Sequence, residues 1–298
     1  MNRIHHTVCP LCGAGDIRHA LDTRDYSVSQ QPFALWDCTA CGLRFTQDAP
    51  EPADIGAFYQ SEDYISHSDT RKGLINSVYH LARGYMLGSK RRMIAAAHPS
   101  RRLLDVGCGT GYFLHHLQEH GYEVAGVEVD DKARAFGQRQ FGLDVYTPEE
   151  FLGGTFPGPY GIVTMWHVLE HVHDPKAYLA RIAELLEPNG ALVIAVPNFT
   201  STDAAFYGPY WAAYDVPRHL WHFRPGTLIS LAEEAGFRLT GKKRLPLDPF
   251  YVALLSEKYK GSGLWGMVHA GVAGKWSTFR SWFRIDRSSS LVYVFRKG

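Results

Sequence analysis

The chain has 298 residues, of which 45% are hydrophobic and 20% are charged, and its formal net charge is +1. This composition is typical of a folded globular protein and excludes a disordered or low-complexity chain. Lys plus Arg (31) nearly balances Asp plus Glu (30), which disfavours a nucleic-acid partner, because phosphate backbones usually require a strongly basic face. The length allows one large α/β domain and a small accessory module.

The first 48 residues carry four of the five cysteines. The N-terminal segment has no apolar signal-peptide core, and no run of about 18 apolar residues follows, so we expect a cytoplasmic protein with reduced thiols. Cys9, Cys12, Cys38 and Cys41 form two C-x-x-C pairs, each followed by glycine. This spacing predicts a structural zinc in a zinc-ribbon-like module over residues 1–48, and four thiolates leave the ion no open position for catalysis. Unmetallated thiols or a redox pair are the alternatives.

Residues 49–100 are predicted to form a linker and a helical lid. The first part is rich in Pro, Asp and Ser and carries the aromatic residues Phe58, Tyr59 and Tyr64. A helix is predicted over residues 74–97, and Pro99 marks its boundary.

From residue 101 to residue 298, short apolar runs alternate with helical patterns. This alternation predicts βαβ units with a parallel sheet. In chain order the segments are RLLDVG, a helix over 111–120, EVAGVEV, a helix over 131–141, DVY, GIVTMW, a helix over 175–187, ALVIAVP, a helix in FRPGTLISLAEEAGF and a last strand in SSLVYVFRK.

The segment LLDVGCGTGYF predicts a buried strand, a glycine turn and the start of a helix. Gly107, Gly109 and Gly111 allow a sharp turn and a close approach of the backbone to a ligand, and the helix N-terminus offers free N–H groups to an anion. A nicotinamide fingerprint would need glycine where Tyr112 stands. Glu128 ends the next strand about 20 residues later, where a carboxylate can accept hydrogen bonds from a ribose diol.

Together with GIVTMWHVLEHVHDP, these motifs resemble the class I S-adenosylmethionine-dependent methyltransferases. Asp105 to Gly111 matches their D-x-G-x-G-x-G motif, and Leu169 to Pro175 matches the L-E-H-x-x-D-P segment of a subgroup that includes the ubiquinone-pathway O-methyltransferases. The resemblance spans residues 85–298, and some bacterial members carry a paired C-x-x-C module as well. It implies a Rossmann-like, seven-stranded, mostly parallel sheet with the last strand antiparallel.

The resemblance also implies a cofactor site. Asp105 and the glycine turn would hold the methionyl part of S-adenosylmethionine, Glu128 the ribose, residues 147–149 the adenine, and residues 165–167 the methionine side. Ordinary strand-end carboxylates and an ordinary loop are the alternatives. The implied residues are Asp105, Gly107, Cys108, Gly109, Gly111, Tyr112, Phe113, Glu128, Val129, Thr147, Pro148, Met165, Trp166 and His167.

The pentapeptide HVLEH, residues 167–171, matches the H-x-x-E-H signature of some zinc peptidases. In those enzymes a continuous helix brings both histidines to one face. Here the motif follows an apolar strand directly, and a new helix is predicted to begin at Asp174-Pro175. The segment is therefore predicted to be a strand-end connection, where open α/β sheets bind ligands.

Two interpretations of HVLEH stay open. In one, Glu170 and His171 orient the backbone and the cofactor, and His171 or His219 is a general base. In the other, the segment resembles the E-x-x-E-H of ubiquinone-pathway and small-RNA O-methyltransferases, which binds a divalent ion. His167 replaces the first glutamate, and His219 and His222 add imidazoles that suit Zn, Fe or Mn. Because of that substitution the sequence favours the ion-free interpretation, with activity that resists chelators.

Two aromatic segments remain. Residues 199–223 are expected to shape an acceptor pocket for an apolar or ring-containing molecule, although core packing explains half of these aromatic residues equally well. An inserted helical segment over about 250–284 mixes tryptophans with Lys and Arg. A lid, a dimer surface and a membrane-interface helix all fit its composition.

The sequence therefore predicts a methyltransferase that moves a methyl group from S-adenosylmethionine to a small-molecule acceptor, with O-methylation preferred over C-methylation. An RNA methyltransferase that uses the zinc module to dock its substrate is one alternative. The near-zero charge and the lack of an N/D-P-P-Y/F segment disfavour it. A non-catalytic binding module is the other alternative, which the intact cofactor motifs disfavour.

Overall fold

A computed structural model of the chain describes residues 2–59, 74–245, 247–263 and 265–298. Tyr64 and part of the predicted lid lie outside the described residues. A seven-stranded sheet forms the centre of the molecule. Its strands are β6 (Arg102–Val106), β7 (Glu123–Val127), β8 (Asp144–Tyr146), β9 (Tyr160–Trp166), β10 (Leu186–Pro197), β12 (Phe237–Arg244) and β13 (Ser290–Lys297).

The strand order is β12-β13-β10-β9-β6-β7-β8. The five strands from β10 to β8 are parallel, and β13 runs antiparallel to both of its neighbours, which confirms the predicted topology. The sequence did not predict β12. This edge strand reads FRLTGKKR and buries only Phe237 completely, so it lacks the apolar run or the strict alternation that identifies a strand.

Helices cover both faces of the sheet, as the alternating pattern predicts. The predicted helices at 74–97, 111–120, 131–141 and 175–187 are confirmed, with small shifts at their ends. The α-helices are α1 (Leu74–Ala97), α2 (Tyr112–Gln118), α3 (Asp131–Phe141), α4 (Pro148–Leu152), α5 (Pro175–Leu185), α6 (Thr202–Tyr207), α7 (Pro225–Glu234), α8 (Asp248–Lys260) and α9 (Trp265–Phe283). In the part of the chain that the structure describes, no helix is long and apolar enough to cross a membrane.

The central strands are buried on both faces. All seven residues of β9 are buried, as expected for a strand of a parallel sheet that helices cover on each side. The carboxyl ends of β6, β7 and β9 lie side by side. The glycine turn, Glu128 and the HVLEH segment each follow one of these ends, so the fold brings the three predicted elements to one edge of the sheet.

The N-terminal module shares its sheet with the large domain. Its strands are β1 (Arg3–Ile4), β2 (Ile17–Arg24), β3 (Pro32–Cys38), β4 (Arg44–Thr46) and β5 (Ala49–Pro50). Because β5 pairs with β1, the module extends two residues beyond the predicted boundary at residue 48. A four-stranded sheet has the order β11-β4-β3-β2, and β11 (Trp221–His222) comes from the large domain. The sequence did not predict this strand, because two residues carry no periodic signal.

A buried arginine joins the module to the large domain. The Arg218 guanidinium lies 2.9 Å from Asp25, which directly follows β2, and 2.7 Å from Asp215. It also donates a hydrogen bond to the Phe58 carbonyl at 2.6 Å. Asp25 is completely buried and Arg218 is 3% exposed, so each charge depends on the other for compensation.

Candidate functional site

The four cysteines of the module come together as predicted. Cys9 and Cys41 place their sulfurs 3.6 Å apart, Cys12 and Cys38 do the same, and all four sulfurs lie within 4.8 Å of one another. A tetrahedral zinc with Zn–S bonds of about 2.3 Å would need sulfurs about 3.8 Å apart. The donor set and its spacing therefore fit a structural zinc.

The backbone of the two cysteine turns repeats the same geometry. Gly13 and Gly42 have φ angles of +73° and +71°, in the left-handed region that favours glycine. Each donates its N–H to the carbonyl of the first cysteine of its pair at 2.9 Å. This repeated turn explains why each C-x-x-C pair is followed by glycine.

The glycine turn after β6 forms an open cradle. Gly107, Gly109 and Gly111 have φ angles of +78°, +56° and +83°. A Cβ at Gly107 would lie 2.2 Å from Val168, whereas a Cβ at Gly109 would meet nothing within 4 Å. Gly109 therefore borders open space at the carboxyl edge of the sheet, where a ligand can approach the backbone, and the turn fits the cofactor that the motif implies.

Glu128 lies directly beside this cradle. One carboxylate oxygen accepts the Gly109 N–H at 2.7 Å, and the other accepts the Asp130 N–H at 3.0 Å. A carboxylate oxygen has two lone pairs, so each can accept a further hydrogen bond. The geometry is compatible with the predicted role of Glu128 as the ribose acceptor.

The buried Asp105 and the partly buried Lys90 are charged residues next to the turn, and each affects the pKa of the other. Asp105 is 3% exposed and accepts a hydrogen bond from Thr164 at 2.5 Å. Burial, with a smaller contribution from Glu128, raises the pKa of Asp105 to about 6. Burial lowers the pKa of Lys90 to about 8, and the Asp105 charge opposes that shift. The Lys90 amine lies 4.5 Å from the centre of the Trp166 ring.

Lys90 was not among the predicted site residues. The sequence identified α1 as a helix, but a lysine on a helix rich in Lys and Arg is usually a solvated side chain. Only the tertiary fold brings Lys90 to Trp166 and places its charge near Asp105.

Several implied cofactor residues have structural roles. Thr147 caps α4: its hydroxyl accepts the Glu150 N–H at 3.2 Å, and its own N–H donates to the Glu150 carboxylate. Met165 is completely buried and belongs to the hydrophobic core. Burial raises the pKa of the Cys108 thiol well above its usual value, which makes a thiolate nucleophile unfavourable.

The HVLEH segment is a turn, as predicted, and not part of a helix. His167 has a φ of +57°, which is unusual for a residue other than glycine. Asp174 caps α5 by accepting the Ala177 N–H at 2.9 Å. The two histidines do not share a helix face, so the zinc-peptidase arrangement is absent from this segment.

Glu170, His171 and His219 form a compact group, here called the Glu170 cluster. One ligand atom from each lies within 4.8 Å of the others. Glu170 is 1% exposed, and neither of its carboxylate oxygens has a hydrogen-bond partner within the described ranges. Backbone hydrogen bonds from Leu220 and Trp221 to the Glu170 carbonyl, at 2.8 and 3.3 Å, hold the two segments together.

Both imidazoles of the cluster are oriented by backbone carbonyls. His171 Nδ1 lies 3.0 Å from the Arg218 carbonyl, and His219 Nδ1 lies 2.9 Å from the Ala213 carbonyl. Because a carbonyl only accepts, each Nδ1 carries a proton and each Nε2 keeps its lone pair. Burial, reinforced by the neighbouring His219, lowers the pKa of His171 to about 4, so this imidazole is neutral near pH 7.

The remaining histidines have different environments. His167 Nδ1 lies 3.4 Å from a Glu170 carboxylate oxygen, but His167 is not part of the compact group. Burial opposes ionisation of Glu170, but the neighbouring His167, His219 and His171 together outweigh burial and lower the Glu170 pKa. His222 points to the N-terminal module instead, with Nε2 3.1 Å from the Thr46 hydroxyl.

Tyr59 is a second residue beside the site, after Lys90, that the sequence did not identify. Its hydroxyl lies 3.0 Å from Nδ1 of His171, although the sequence assigned it only to an aromatic linker. No spacing rule connects residue 59 to residue 171, so this contact follows from the tertiary fold alone.

Comparisons with known proteins agree with this geometry. A family model described as "Methyltransferase domain" matches residues 79–241. The ubiquinone biosynthesis O-methyltransferase of Bordetella avium is 31% identical over 169 residues, which cover 52% of this chain and 70% of the relative. The enzyme of the same name from Methylococcus capsulatus is 28% identical over 174 residues, covering 53% and 73%.

Among solved structures, magnesium protoporphyrin IX methyltransferase from Synechocystis PCC 6803 with bound SAH has a TM-score of 0.54 and 11% identity. The match covers 83% of this chain and 100% of that one, and it shows a shared fold. The fold and the glycine cradle define an S-adenosylmethionine-dependent enzyme of the Rossmann-like class. The chain belongs to the methyltransferase domain family, and it is a class I S-adenosylmethionine-dependent methyltransferase.

We expect the purified protein to contain roughly one zinc ion per chain. Replacing two ligands in a Cys9→Ser, Cys38→Ser variant should remove it, because two remaining thiolates hold zinc weakly. The matched control is Cys108→Ser, which removes a buried thiol outside the cluster and should leave the zinc in place. Metal analysis that finds no zinc in protein expressed with zinc would contradict the ribbon assignment.

We expect Glu128→Ala to weaken S-adenosylmethionine binding by about 1–3 kcal/mol, the cost of leaving ribose hydroxyls unpaired. Calorimetry measures the affinity, and circular dichroism confirms that the fold persists. Glu123→Ala is the control, because it removes an exposed carboxylate at the other end of the same strand. Equal affinities for Glu128→Ala and the unmodified protein would remove Glu128 from the cofactor site.

Proposed function

We propose that this enzyme methylates a hydroxyl group of a small-molecule acceptor and that the Glu170 cluster binds a divalent ion for this reaction. The observation that carries the proposal is the buried Glu170 carboxylate: it makes no hydrogen bond within the described residues, it has a 3.4 Å contact with His167, and it lies beside the imidazoles of His171 and His219. A buried carboxylate is costly without compensation, and an ion would add to the compensation that His167 gives.

The donor set suits an ion such as Mn, Fe or Zn. Two imidazoles and one carboxylate are ligands that these metals accept, and a site with three protein ligands would leave positions open for other groups. The carbonyls of Arg218 and Ala213 fix the two rings through Nδ1, an arrangement that is common around metal-bound histidines.

The parts of the site have separate tasks in this proposal. S-adenosylmethionine supplies an electrophilic methyl group on its sulfonium, and a divalent ion would lower the pKa of a bound hydroxyl. Glu128 and the glycine cradle hold the nucleoside end, and Lys90 offers a cation near Trp166 for the carboxylate of the methionyl part. Methyl transfer is an in-line displacement, so correct positioning of donor and acceptor supplies much of the rate.

One observation and one chemical argument support oxygen as the accepting atom. The relatives at 28–31% identity carry the name O-methyltransferase, and a hard hydroxyl oxygen is the acceptor that a cationic centre activates best. In the ion-free alternative, His171 is the general base. A pKa of about 4 for this imidazole makes it a weak base for a hydroxyl at neutral pH, which is why we favour the ion.

The first experiment measures ion binding without any acceptor. Titration with Mn²⁺, followed by electron paramagnetic resonance, should show one bound ion per chain while the cysteine-bound zinc stays in place. Glu170→Gln should weaken Mn²⁺ binding by about tenfold or more, because an amide oxygen is a poorer ligand than a carboxylate. Glu257→Gln is the matched control, since Glu257 is also a buried glutamate but lies outside the cluster.

The second experiment identifies the accepting atom. Methyl-labelled S-adenosylmethionine is incubated with phenols, catechols and enolisable carbon acids, and the products are examined by NMR. We expect O-methyl products whose formation stops under mild chelation and returns with added Mn²⁺. Only C-methyl products would contradict O-methylation, and full activity under chelation would show that the ion-free interpretation is correct.

A further inference from the structure

Helix α9 is amphipathic in an unusual sense: it buries its small residues and exposes its large apolar ones. The buried residues are Gly266, Ala270, Gly274, Ser277 and Ser281. A Cβ at Gly274 would lie 2.7 Å from the Phe250 ring of α8, so the two helices pack too closely there for a larger side chain. The packing of the inner face of α9 therefore does not use the large apolar residues of this helix.

The outer face of α9 and the adjoining surface of α8 form one exposed apolar surface, here called the hairpin face. On α9 the residues at 265, 268, 272, 276, 279 and 283 follow the spacing of a single helical stripe. The exposed apolar residues are Leu247, Phe250, Tyr251, Leu254, Trp265, Met267, Val268, Val272, Trp276, Phe279, Trp282 and Phe283. Trp265, Trp282 and Phe283 are 72%, 69% and 74% exposed. Clustered exposure on this scale marks an interaction surface.

The hairpin face also carries a local excess of basic residues. Residues 258–285 contain five basic residues and no Asp or Glu, whereas the whole chain has a net charge of only +1. All five are exposed. Three of them, Lys275, Arg280 and Arg284, lie in α9 or directly after it among the exposed aromatic residues. The hairpin face therefore combines apolar side chains with a local positive charge.

We propose that the hairpin face binds the surface of an anionic lipid bilayer, with α9 lying parallel to the membrane plane. Tryptophan side chains favour the boundary between headgroups and acyl chains, and basic residues beside them attract anionic headgroups. At 1.5 Å per residue, the 19 residues of α9 would cover about 28 Å of the surface. No described helix is long and apolar enough to cross the membrane, which is consistent with surface binding.

The charge distribution distinguishes a lipid surface from a second copy of the chain. A two-fold symmetric dimer through the hairpin face would place the same surface on both sides of the interface. The basic residues of one copy would then face those of the other, with no acidic residue in 258–285 to compensate them. Like charges across an interface are unfavourable, whereas an anionic bilayer is complementary.

Vesicle flotation with the full chain tests the proposal. The probes are vesicles of phosphatidylcholine alone and vesicles in which about one third of the lipid is phosphatidylglycerol. We expect binding to the anionic vesicles to be about tenfold stronger or more, and to weaken as salt is added. Equal binding to both kinds of vesicle, or no binding to either, would overturn the proposal.

Two variants separate the apolar and the electrostatic contributions of the hairpin face to vesicle binding. Trp276→Ser, Phe279→Ser, Phe283→Ser removes exposed apolar surface, and Lys275→Glu, Arg280→Glu, Arg284→Glu reverses its charge. Each should lower binding to anionic vesicles by about tenfold or more. Because these side chains are exposed, both variants should fold and still bind S-adenosylmethionine as the unmodified protein does.

A matched charge control uses the exposed residues Arg18, Arg139 and Arg238. Changing these three to glutamate alters the net charge by the same amount on other faces and should leave most vesicle binding in place. Equal losses in this control and in the face variants would show only a net-charge effect and overturn the proposal. A dimer in light scattering that dissociates in the apolar variant, with no vesicle binding, would assign the face to a second copy instead.

Discussion

The buried Arg218 guanidinium is the interaction on which the arrangement of the site depends. Its side chain compensates Asp25 of the N-terminal module and Asp215 of the large domain. Its carbonyl orients His171, and its neighbour His219 belongs to the Glu170 cluster. A charge buried to this degree must keep its partners, because removing one of them costs several kcal/mol. The module is thereby held against the chain segment that carries His219.

Further contacts from the module reach the same segment. Thr46 of β4 donates its hydroxyl proton to the His219 carbonyl at 2.7 Å and its N–H to the Leu220 carbonyl at 2.9 Å. Strand β11 then pairs with β4. A zinc held by four cysteines would stabilise the short strands of the module, which are too small to form a large core of their own. Because its four ligands would all be cysteines, such a zinc would act on the site only by supporting the backbone around His219.

The features that could be predicted from the sequence are those formed by residues that lie close together in the chain. The positions of the glycine turn and Glu128 could be predicted because a strand, a turn and a helix follow one another there at short spacing. The cysteine pairs were identified for the same reason. The Glu170 cluster was only partly predicted: His171 and His219 are 48 residues apart, and the sequence grouped His167 and His222 with them as well.

Tyr59, Lys90 and β11 reach their places through tertiary packing, which leaves no pattern in the sequence. The sequence also did not predict that the large apolar residues of α9 are exposed, because a helix of this composition packs equally well into a core.

A substitution in the N-terminal module, followed by a measurement of Mn²⁺ binding, tests most directly whether the module positions the Glu170 cluster. Asp25→Asn removes one of the two carboxylate charges that compensate Arg218, the one from the module, while leaving the cysteines and the cofactor cradle untouched. We predict that Mn²⁺ binding at the Glu170 cluster falls by about tenfold or more, while the zinc content and the affinity for S-adenosylmethionine stay unchanged. Asp37→Asn is the control, because Asp37 is also a module carboxylate that pairs with an arginine, Arg44, but it is more exposed. Unchanged Mn²⁺ binding in Asp25→Asn would contradict the account, because the cluster would then be positioned without the module.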